Sequence, residues 1–131
     1  MKKTKQFTFP LENKPGRLAE VAGCLAKAKI NILAMSVIDT SEQCLLRLVV
    51  DKPAQLQKLM KDCPYPVALR DVLLVELSNQ LGTLAKAADR LAKKRINVDF
   101  VYGSGGNGKA KSNIVFGVKS FAAASKALAR L

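Results

Sequence analysis

The spacing of apolar residues along the first 70 positions switches between the period of a strand and the period of a helix. Apolar residues recur at every second position in several short segments and at every third or fourth position in two longer ones. The predicted strands are residues 6–11, 31–38, 44–50 and 67–70, and the predicted helices are residues 17–29 and 53–61. The order of elements is therefore βαββαβ.

Turn-forming residues separate these segments. A polar turn at residues 39–43 joins two of the strands, Asp51 can cap the second helix, and Pro53 suits its first turn. Pro64 and Pro66 end that helix. The apolar residues predicted to face inward are Leu18, Val21, Ala22 and Leu25 in the first helix and Leu56, Leu59 and Met60 in the second.

The chain repeats itself with an offset of 66 residues. Ten of twenty positions are identical when residues 13–32 are compared with residues 79–98. The matched pairs include Asn13 with Asn79, Gly16 with Gly82, and Asn31 with Asn97. Apolar helix positions recur by composition alone, but paired Gly and Asn residues at fixed spacing do not. The sequence therefore predicts a tandem repeat with domains at residues 1–70 and 71–131.

A glycine-rich segment, GSGGNGKA at residues 103–110, comes within one residue of a phosphate-binding loop. That signature needs a Ser or Thr after its Lys and a helix directly after the loop. Here Ala110 follows the Lys, and residues 114–118 alternate as a strand. In the repeat, residues 98–102 and 114–118 correspond to two strands of the first unit. The segment is therefore predicted to be an enlarged hairpin loop and not a nucleotide site.

The second unit is predicted to end one strand early. Residues 120–131 form its second helix, in which Phe121, Leu128 and Leu131 are apolar, and no strand-like segment follows. A unit of about 65 residues buries only ~60% of its unfolded surface, so we expect the two units to pack on one another. The unpaired strand edge must be covered by another chain, a neighbouring strand or local charge.

The segment Asn13-Lys14-Pro15-Gly16 lies between a strand and a helix and has the chemistry of an anion site. Pro15 fits the turn into the helix, Gly16 allows close approach to the backbone, and the first N–H groups of the helix carry a partial positive charge. Asn13 adds an amide that both donates and accepts hydrogen bonds. This mixture suits a zwitterion with a carboxylate and an ammonium group, although an Asn before a helix also serves simply as a cap.

The strand-start residues Asn31 and Asn97 supply the second half of the predicted site. A helix of about 13 residues spans ~20 Å, so Asn13 and Asn31 lie near its opposite ends. If two units pair about a two-fold axis, Asn13 approaches Asn97, and Asn79 approaches Asn31. We therefore expect a ligand to bind at the interface between units.

The run LENKPGRLAEVAGCLAKAKINI, residues 11–32, resembles the ACT domain, a βαββαβ ligand-binding module attached to many enzymes of amino-acid metabolism. The family's hallmark is similar to Asn-x-Pro-Gly-x-Leu after the first strand, followed by Asn at the start of the second. The resemblance covers nearly the whole chain and implies an α+β fold of two ferredoxin-like βαββαβ repeats, the second lacking its last strand. In the second repeat Leu81 replaces the Pro, and Leu11 and Leu77 stand where some serine-binding members carry a His, so serine is not implied.

The resemblance implies that an amino acid binds between paired modules. The predicted ligand-binding residues are Asn13, Gly16, Arg17, Asn31, Ile32, Asn79, Gly82, Asn97 and Val98. It also implies an allosteric, regulatory role without catalysis. The expected partners are a second copy of the chain, forming a dimer, and a regulated enzyme.

Composition narrows the remaining classes of function. The chain has no His, which excludes histidine-based nucleophile activation and imidazole metal ligation, and its three Cys lack the spacing of a disulfide or zinc framework. No apolar run reaches the ~18 residues of a membrane span. The sequence therefore predicts a cytoplasmic protein with reduced thiols, no cofactor, no bound metal and no membrane partner. A binding module is favoured over an enzyme.

The net charge is +12, from 22 Lys and Arg against 10 Asp and Glu. This charge makes nucleic-acid binding by a basic ferredoxin-like protein the alternative function. No acidic residue follows Asp99, so that end attracts anions by its field alone. Two Tyr and five Phe are the only aromatic residues, however, and residues 113–118 lack the interleaved aromatics of an RNA-binding strand. Nucleic acid is therefore the less favoured partner. A third hypothesis is that the protein is a scaffold whose basic side chains are simply solvated surface.

Overall fold

The computed structural model describes residues 1–39, 44–62, 66–104 and 111–131. Its strands are β1 (Lys2–Leu11), β2 (Ile32–Asp39), β3 (Cys44–Val50), β4 (Ala68–Ser78), β5 (Phe100–Ser104) and β6 (Lys111–Gly117), and its helices are α1 (Arg17–Lys27), α2 (Pro53–Met60), α3 (Thr83–Lys93) and α4 (Phe121–Leu128). Most of the predicted polar turn, Cys63, Pro64 and residues 105–110 of the predicted hairpin loop lie outside the described residues. None of the helices just named is long and apolar enough to cross a membrane.

The chain divides into two compact units. We call Lys5–Arg70 the N-terminal unit, and Met1–Thr4 together with Asp71–Leu131 the C-terminal unit. Both are α+β, and both follow the ferredoxin-like arrangement that the sequence predicts.

In the N-terminal unit, β3 pairs antiparallel with β1 on one side and with β2 on the other. Leu48 lies opposite Phe7 of β1 and opposite Met35 of β2. Strand β4, whose first residues Ala68–Arg70 belong to this unit, is the other neighbour of β1, which gives the strand order β2-β3-β1-β4. Helices α1 and α2 contribute to a core made of Phe7, Phe9, Leu25, Ile30, Leu46, Leu48, Val50 and Leu56.

In the C-terminal unit, β6 pairs antiparallel with β4 and with β5. Phe116 lies opposite Leu73 of β4 and opposite Val101 of β5. Residues two apart on a strand share a face, so alternate residues of β4 and β6 meet α3 and α4 in one core. That core consists of Leu73, Val75, Leu77, Ala87, Leu91, Phe116, Val118, Ala124 and Leu128.

The beginning of the chain supplies the fourth strand of the C-terminal unit. No strand follows α4 in the described residues, as the sequence predicts. Instead, β1 starts at Lys2, well before the predicted residue 6, and it is the neighbour of β4 in the strand order. Lys3 Nζ lies 3.5 Å from Asp71 Oδ2 and 5.0 Å from the centre of the Phe121 ring. The edge of β4 in this unit is thus covered by a neighbouring strand, which was one of the expected solutions.

The inward face of α1 differs from the predicted one. Leu25 is buried and Val21 is half-buried, but Leu18 is 46% exposed and Ala22 is also exposed. The four predicted residues span one arc of about 100° around α1, so the apolar pattern alone does not decide which part of that arc faces the sheet. In α2, one residue predicted to face inward is likewise exposed. Leu56 is buried and Met60 half-buried, whereas Leu59 is 43% exposed.

Helices α1 and α3 end in the same backbone motif. After α1, the N–H of Ile30 donates to the carbonyl of Leu25 at 2.9 Å, and the N–H of Lys29 donates to that of Ala26 at 3.0 Å. The two corresponding bonds after α3 are each 2.9 Å. This is the Schellman arrangement, which needs a left-handed residue, and Lys29 and Arg95 accordingly have φ of 58° and 56°.

We expect Lys29→Gly and Arg95→Gly each to raise the free energy of unfolding by up to ~1 kcal/mol, because glycine adopts a positive φ without the steric cost that a Cβ imposes. Urea unfolding measures the change. The matched control is Lys27→Gly in the last turn of α1, which should destabilise by about 1 kcal/mol. A loss of stability in both positive-φ variants would show that the lysine and arginine side chains stabilise these helix ends by more than the backbone cost.

Candidate ligand-binding site

The loops that precede α1 and α3 have the same backbone conformation. We call residues 12–17 the first motif loop and residues 78–83 the second motif loop. Gly16 and Gly82 are the residues at which the helices begin, and their φ values are 89° and 85°. These values lie in the left-handed region, which glycine adopts without strain. A glycine is therefore needed at this point in both repeats.

The backbone hydrogen bonds of the two motif loops also correspond. The N–H of Lys14 donates to the carbonyl of Glu12 at 2.9 Å, and the N–H of Gln80 donates to that of Ser78 at 2.9 Å. The first bond of each helix, accepted by the glycine carbonyl, is 3.0 Å long. Because glycine has no side chain to cap the helix, the N–H groups of the first turn keep their partial positive charge. Each unit therefore presents a helix start that attracts an anion.

Charged side chains surround Arg17 in the first motif loop. Its Nε lies 3.2 Å from Glu12 Oε2, its Nη1 lies 3.0 Å from Glu20 Oε1, and Lys14 Nζ lies 3.4 Å from Glu12 Oε2. Hydrogen bonds from Lys14 and Arg17 hold the pKa of Glu12 below its ordinary value of 4.5, and those to Glu20 and Glu12 raise the pKa of Arg17. Both groups are therefore ionised at neutral pH. Arg17, a predicted ligand residue, already binds two carboxylates of its own chain.

The second motif loop uses hydroxyl groups at the same two positions. Ser78 Oγ and Thr83 Oγ1 are 3.2 Å apart, and the repeat aligns them with Glu12 and Arg17. No acidic residue lies in the first turn of α3. Leu81, in the place of Pro15, is fully exposed. The two motif loops therefore share a backbone but differ in their charge.

Asn31 directly precedes β2, but β5 begins at Phe100, so Asn97 lies three residues before its strand and not at its start as the sequence predicts. Nearby aspartates bind both residues, for which we keep the name strand-start asparagines. The N–H of Asn31 donates to Asp51 Oδ1 at 2.9 Å, and the carbonyl of Asn31 accepts from the N–H of Asp51 at 3.0 Å. Asn97 Nδ2 donates to Asp99 Oδ1 at 3.0 Å. Both asparagines are exposed. The aspartates thus hold the backbone of Asn31 and the side-chain amide of Asn97 in place.

Ile32 and Val98, which the sequence also places at the site, have another role in packing. Both are half-buried, and they pack against the cores of the N-terminal and C-terminal units. Their side chains are therefore engaged in packing, and their part in a ligand site stays a prediction.

The predicted site residues fall into two groups within each unit. The motif loop, with Asn13 or Asn79, lies at the start of an 11-residue helix, and Asn31 or Asn97 follows its end. At 1.5 Å per residue, such a helix separates the two groups by about 16 Å. The approach of Asn13 to Asn97, and of Asn79 to Asn31, stays a prediction.

Sequence reasoning missed the side chains that set the charge of the motif loops. Glu20 could have been found from its spacing of three residues from Arg17 on a helix. The Ser78 and Thr83 pair could have been found by applying the repeat offset to Glu12 and Arg17. Asp51 gave no such signal as a partner of Asn31, since the two are 20 residues apart.

The described residues show no metal-binding cluster. No group of three or more Cys, Asp or Glu side chains there could hold a metal ion. Cys24 is exposed, Cys44 is buried, and both are free thiols. What the geometry offers instead is two helix starts and four asparagines, which suit the recognition of a small polar molecule.

Comparisons with known proteins find solved structures with a similar fold. A crystal structure of a protein from Bacteroides thetaiotaomicron is similar, with 30% sequence identity, a TM-score of 0.83, and coverage of 96% of this chain and 86% of that chain. The regulatory subunits of aspartate kinase from Thermus thermophilus and Thermus flavus share the fold at 14% and 16% identity, with TM-scores of 0.65 and 0.60. In both cases 95% of this chain is covered, and 90% and 89% of the other.

The sequence profile of the ACT domain pair matches residues 2–122 of the chain. No curated protein sequence is significantly similar to it. Since the matched range includes both motif loops, both strand-start asparagines and all six strands, this protein belongs to the ACT domain pair family.

Proposed function

We propose that this protein is a regulatory module that binds a free amino acid and transmits the binding event to a partner, without catalysing a reaction itself. Membership of the ACT domain pair family supports a small-molecule-binding regulatory role. The amino acid, the dimer and the regulated enzyme of amino-acid metabolism belong to the proposal. So does a cytoplasmic location, which the free thiols of Cys24 and Cys44 favour.

The observation that carries the proposal is the duplicated helix start. In both units an exposed Asn stands three residues before a glycine with positive φ, and a helix begins at that glycine. N–H groups at a helix start favour a carboxylate, and an Asn amide accepts a hydrogen bond from an ammonium group. Two such groups side by side match the head of an amino acid. In the proposed complex, a strand-start Asn from a second copy of the chain completes the site.

The proposed ligand is small, which limits its affinity. A molecule with few non-hydrogen atoms cannot exceed a modest free energy of binding, so we expect dissociation constants of ~µM to mM. Affinity in this range suits a protein that responds to changing concentrations of a metabolite.

Calorimetric titration with each of the twenty amino acids, followed by titration of Asn13→Ala and Asn97→Ala, tests the proposal. We expect one or a few amino acids to bind, and each variant to weaken that binding by about 2- to 10-fold, the effect of losing one hydrogen bond. The control is Gln57→Ala, which removes an exposed amide from α2 and should leave affinity unchanged. Heat from none of the twenty amino acids would sink the proposal.

A further inference from the structure

Helices α1 and α3 occupy the same place in the repeat, but one line of positions along them differs in charge. Three positions that are acidic or neutral in the first repeat are basic in the second: Glu20, Cys24 and Ala28 correspond to Lys86, Arg90 and Lys94. Residues four apart lie on the same side of a helix, so the three basic residues form a line of about 12 Å along α3. We call Lys86, Arg90 and Lys94 the basic row.

Helix α4 extends this charge beyond α3. Arg90 Nη1 donates to the carbonyl of Ala129, just after α4, at 2.8 Å, which ties the basic row to the end of that helix. Helix α4 contains Lys126 and no acidic residue, and Arg130 follows it. Both are exposed, as are the two lysines of the basic row. The basic row, Lys126 and Arg130 thus make up one positively charged surface of the C-terminal unit, which we call the basic helix face.

Carboxylates of the chain do not neutralise the basic helix face. Asp89 is the only acidic residue of α3 and α4, and its Oδ2 lies 2.8 Å from Nζ of Lys93, which is outside the basic row. Among the described residues, no ion pair involves any of the five basic residues of this face. Their charge is therefore available to a partner.

The stability of the helices explains only part of this arrangement. A cation near the end of a helix interacts favourably with the helix dipole, which accounts for Lys94 and Lys126. Lys86 lies near the start of α3, where a cation is unfavourable. Its position therefore favours an interaction with a negative charge outside the helix.

The residues around these cations favour a protein partner over a nucleic acid. Ala122, Ala123 and Ala129 are exposed around Lys126, so a partner can approach α4 closely and bury apolar atoms beside the charge. Helix α3 has no aromatic residue, and Phe121, the one aromatic residue of α4, packs half-buried against the core. The face therefore offers no ring on which a base could stack. An amphipathic helix with acidic residues four apart matches both the line of cations and the alanines.

We propose that the basic helix face binds an acidic amphipathic helix of a partner protein. The acidic side chains of that helix lie along the basic row, and its apolar side chains contact the exposed alanines of α4. This inference rests on the proposed function, because it names the surface through which the regulatory module meets the protein that it regulates. It involves neither of the motif loops.

Charge reversal in two matched sets of lysines tests the inference. The test variant combines three substitutions on the basic helix face: Lys86→Glu, Lys94→Glu and Lys126→Glu. The control variant combines three substitutions on the helices of the N-terminal unit and their ends: Lys27→Glu, Lys58→Glu and Lys61→Glu. All six lysines are exposed, and the two variants change the net charge equally, so they differ in the surface that is altered. Far-UV circular dichroism and urea unfolding check that both variants fold.

The probe is a fluorescent helical peptide of about 20 residues, in which Glu recurs at every fourth position among alanines. A scrambled peptide of the same composition and a short DNA duplex serve for comparison. Fluorescence anisotropy at low ionic strength measures binding where surface charges are least screened. We expect the wild type and the control variant to bind the helical peptide alike, and the test variant to bind it about tenfold or more weakly. The scrambled peptide should bind the wild type more weakly, and any duplex binding should fall equally in both variants because it depends on net charge.

Four results would overturn the inference. They are no binding of the helical peptide by the wild type, an equal loss in the two variants, equally tight binding of the scrambled peptide, and a loss of duplex binding confined to the test variant, which would assign the face to nucleic acid. Amino acid titration of the wild type separates this inference from the proposed function. Amino acid binding without peptide binding would leave the proposed function standing, whereas peptide binding without any amino acid binding would support the docking surface alone.

Discussion

Replacing Leu91 with Ala is expected to lower the free energy of unfolding by about 2–5 kcal/mol. Leu91 is 1% exposed and belongs to the core of the C-terminal unit, so its removal leaves a cavity among strands and helices. Ile96, just after α3, packs against the same core. The loss is measured by urea unfolding monitored by circular dichroism.

The same helix provides a matched control. Leu84 lies two turns before Leu91 on α3 but is 48% exposed. Leu84→Ala deletes the same atoms, and we expect it to cost less than about 1 kcal/mol because half of the side chain is in water in the folded state. Equal losses in the two variants would mean that Leu84 is also covered in solution, and the assignment of the inward face of α3 would then be incomplete.

Removing Met1–Thr4 is expected to destabilise the C-terminal unit by about 2–4 kcal/mol, because some three strand residues each lose a backbone hydrogen bond. The deletion also removes the contacts of Lys3 with Asp71 and Phe121. It leaves β4 with an open edge in that unit, so aggregation is expected as well. Amide hydrogen exchange locates the effect, since protection should fall in β4 and remain in β3.

Deletion of Arg130 and Leu131 is the control for this truncation. Both residues are exposed and lie outside every strand and helix of the described chain. We expect a change below about 0.5 kcal/mol. If the shortened chain beginning at Lys5 kept its stability and its exchange protection in β4, then the start of β1 would not act as a strand of the C-terminal unit.

The repeat and most secondary structure could be predicted because both depend on local sequence. The period of apolar residues defines helices and strands without knowledge of the fold. The strand that covers β4 could not be predicted in this way, because its residues lie about 70 positions away at the start of the chain. Lys2, Lys3 and Lys5 also give this part of β1 a polar composition, so no apolar alternation revealed it.

The faces of the helices were predicted only in part. In helix α1, Leu18, Val21, Ala22 and Leu25 are all apolar and lie within one arc of about 100°. Only the sheet beneath the helix decides which part of that arc is buried. Leu84, which the repeat aligns with Leu18, is likewise 48% exposed.

The sequence predicted the backbone conformation of the candidate site but not the contacts between its charged side chains. Glycine at the start of a helix, together with the offset of 66 residues, was enough to predict two equivalent loops. The ion pairs of Arg17 depend on how a turn brings Glu12 back toward the helix, which apolar spacing does not encode. The difference between the loops therefore emerges only when the side-chain contacts are known.

The central claim is that the helix starts of the motif loops bind an amino acid. Backbone amide chemical shifts, recorded by NMR during titration with each of the twenty amino acids, test it most directly. We predict that a binding amino acid shifts the amides at the two helix starts, residues 16–18 and 82–84, most strongly, with smaller changes at the strand-start asparagines. Saturable shifts confined to other parts of the chain, or none with any amino acid, would contradict the claim.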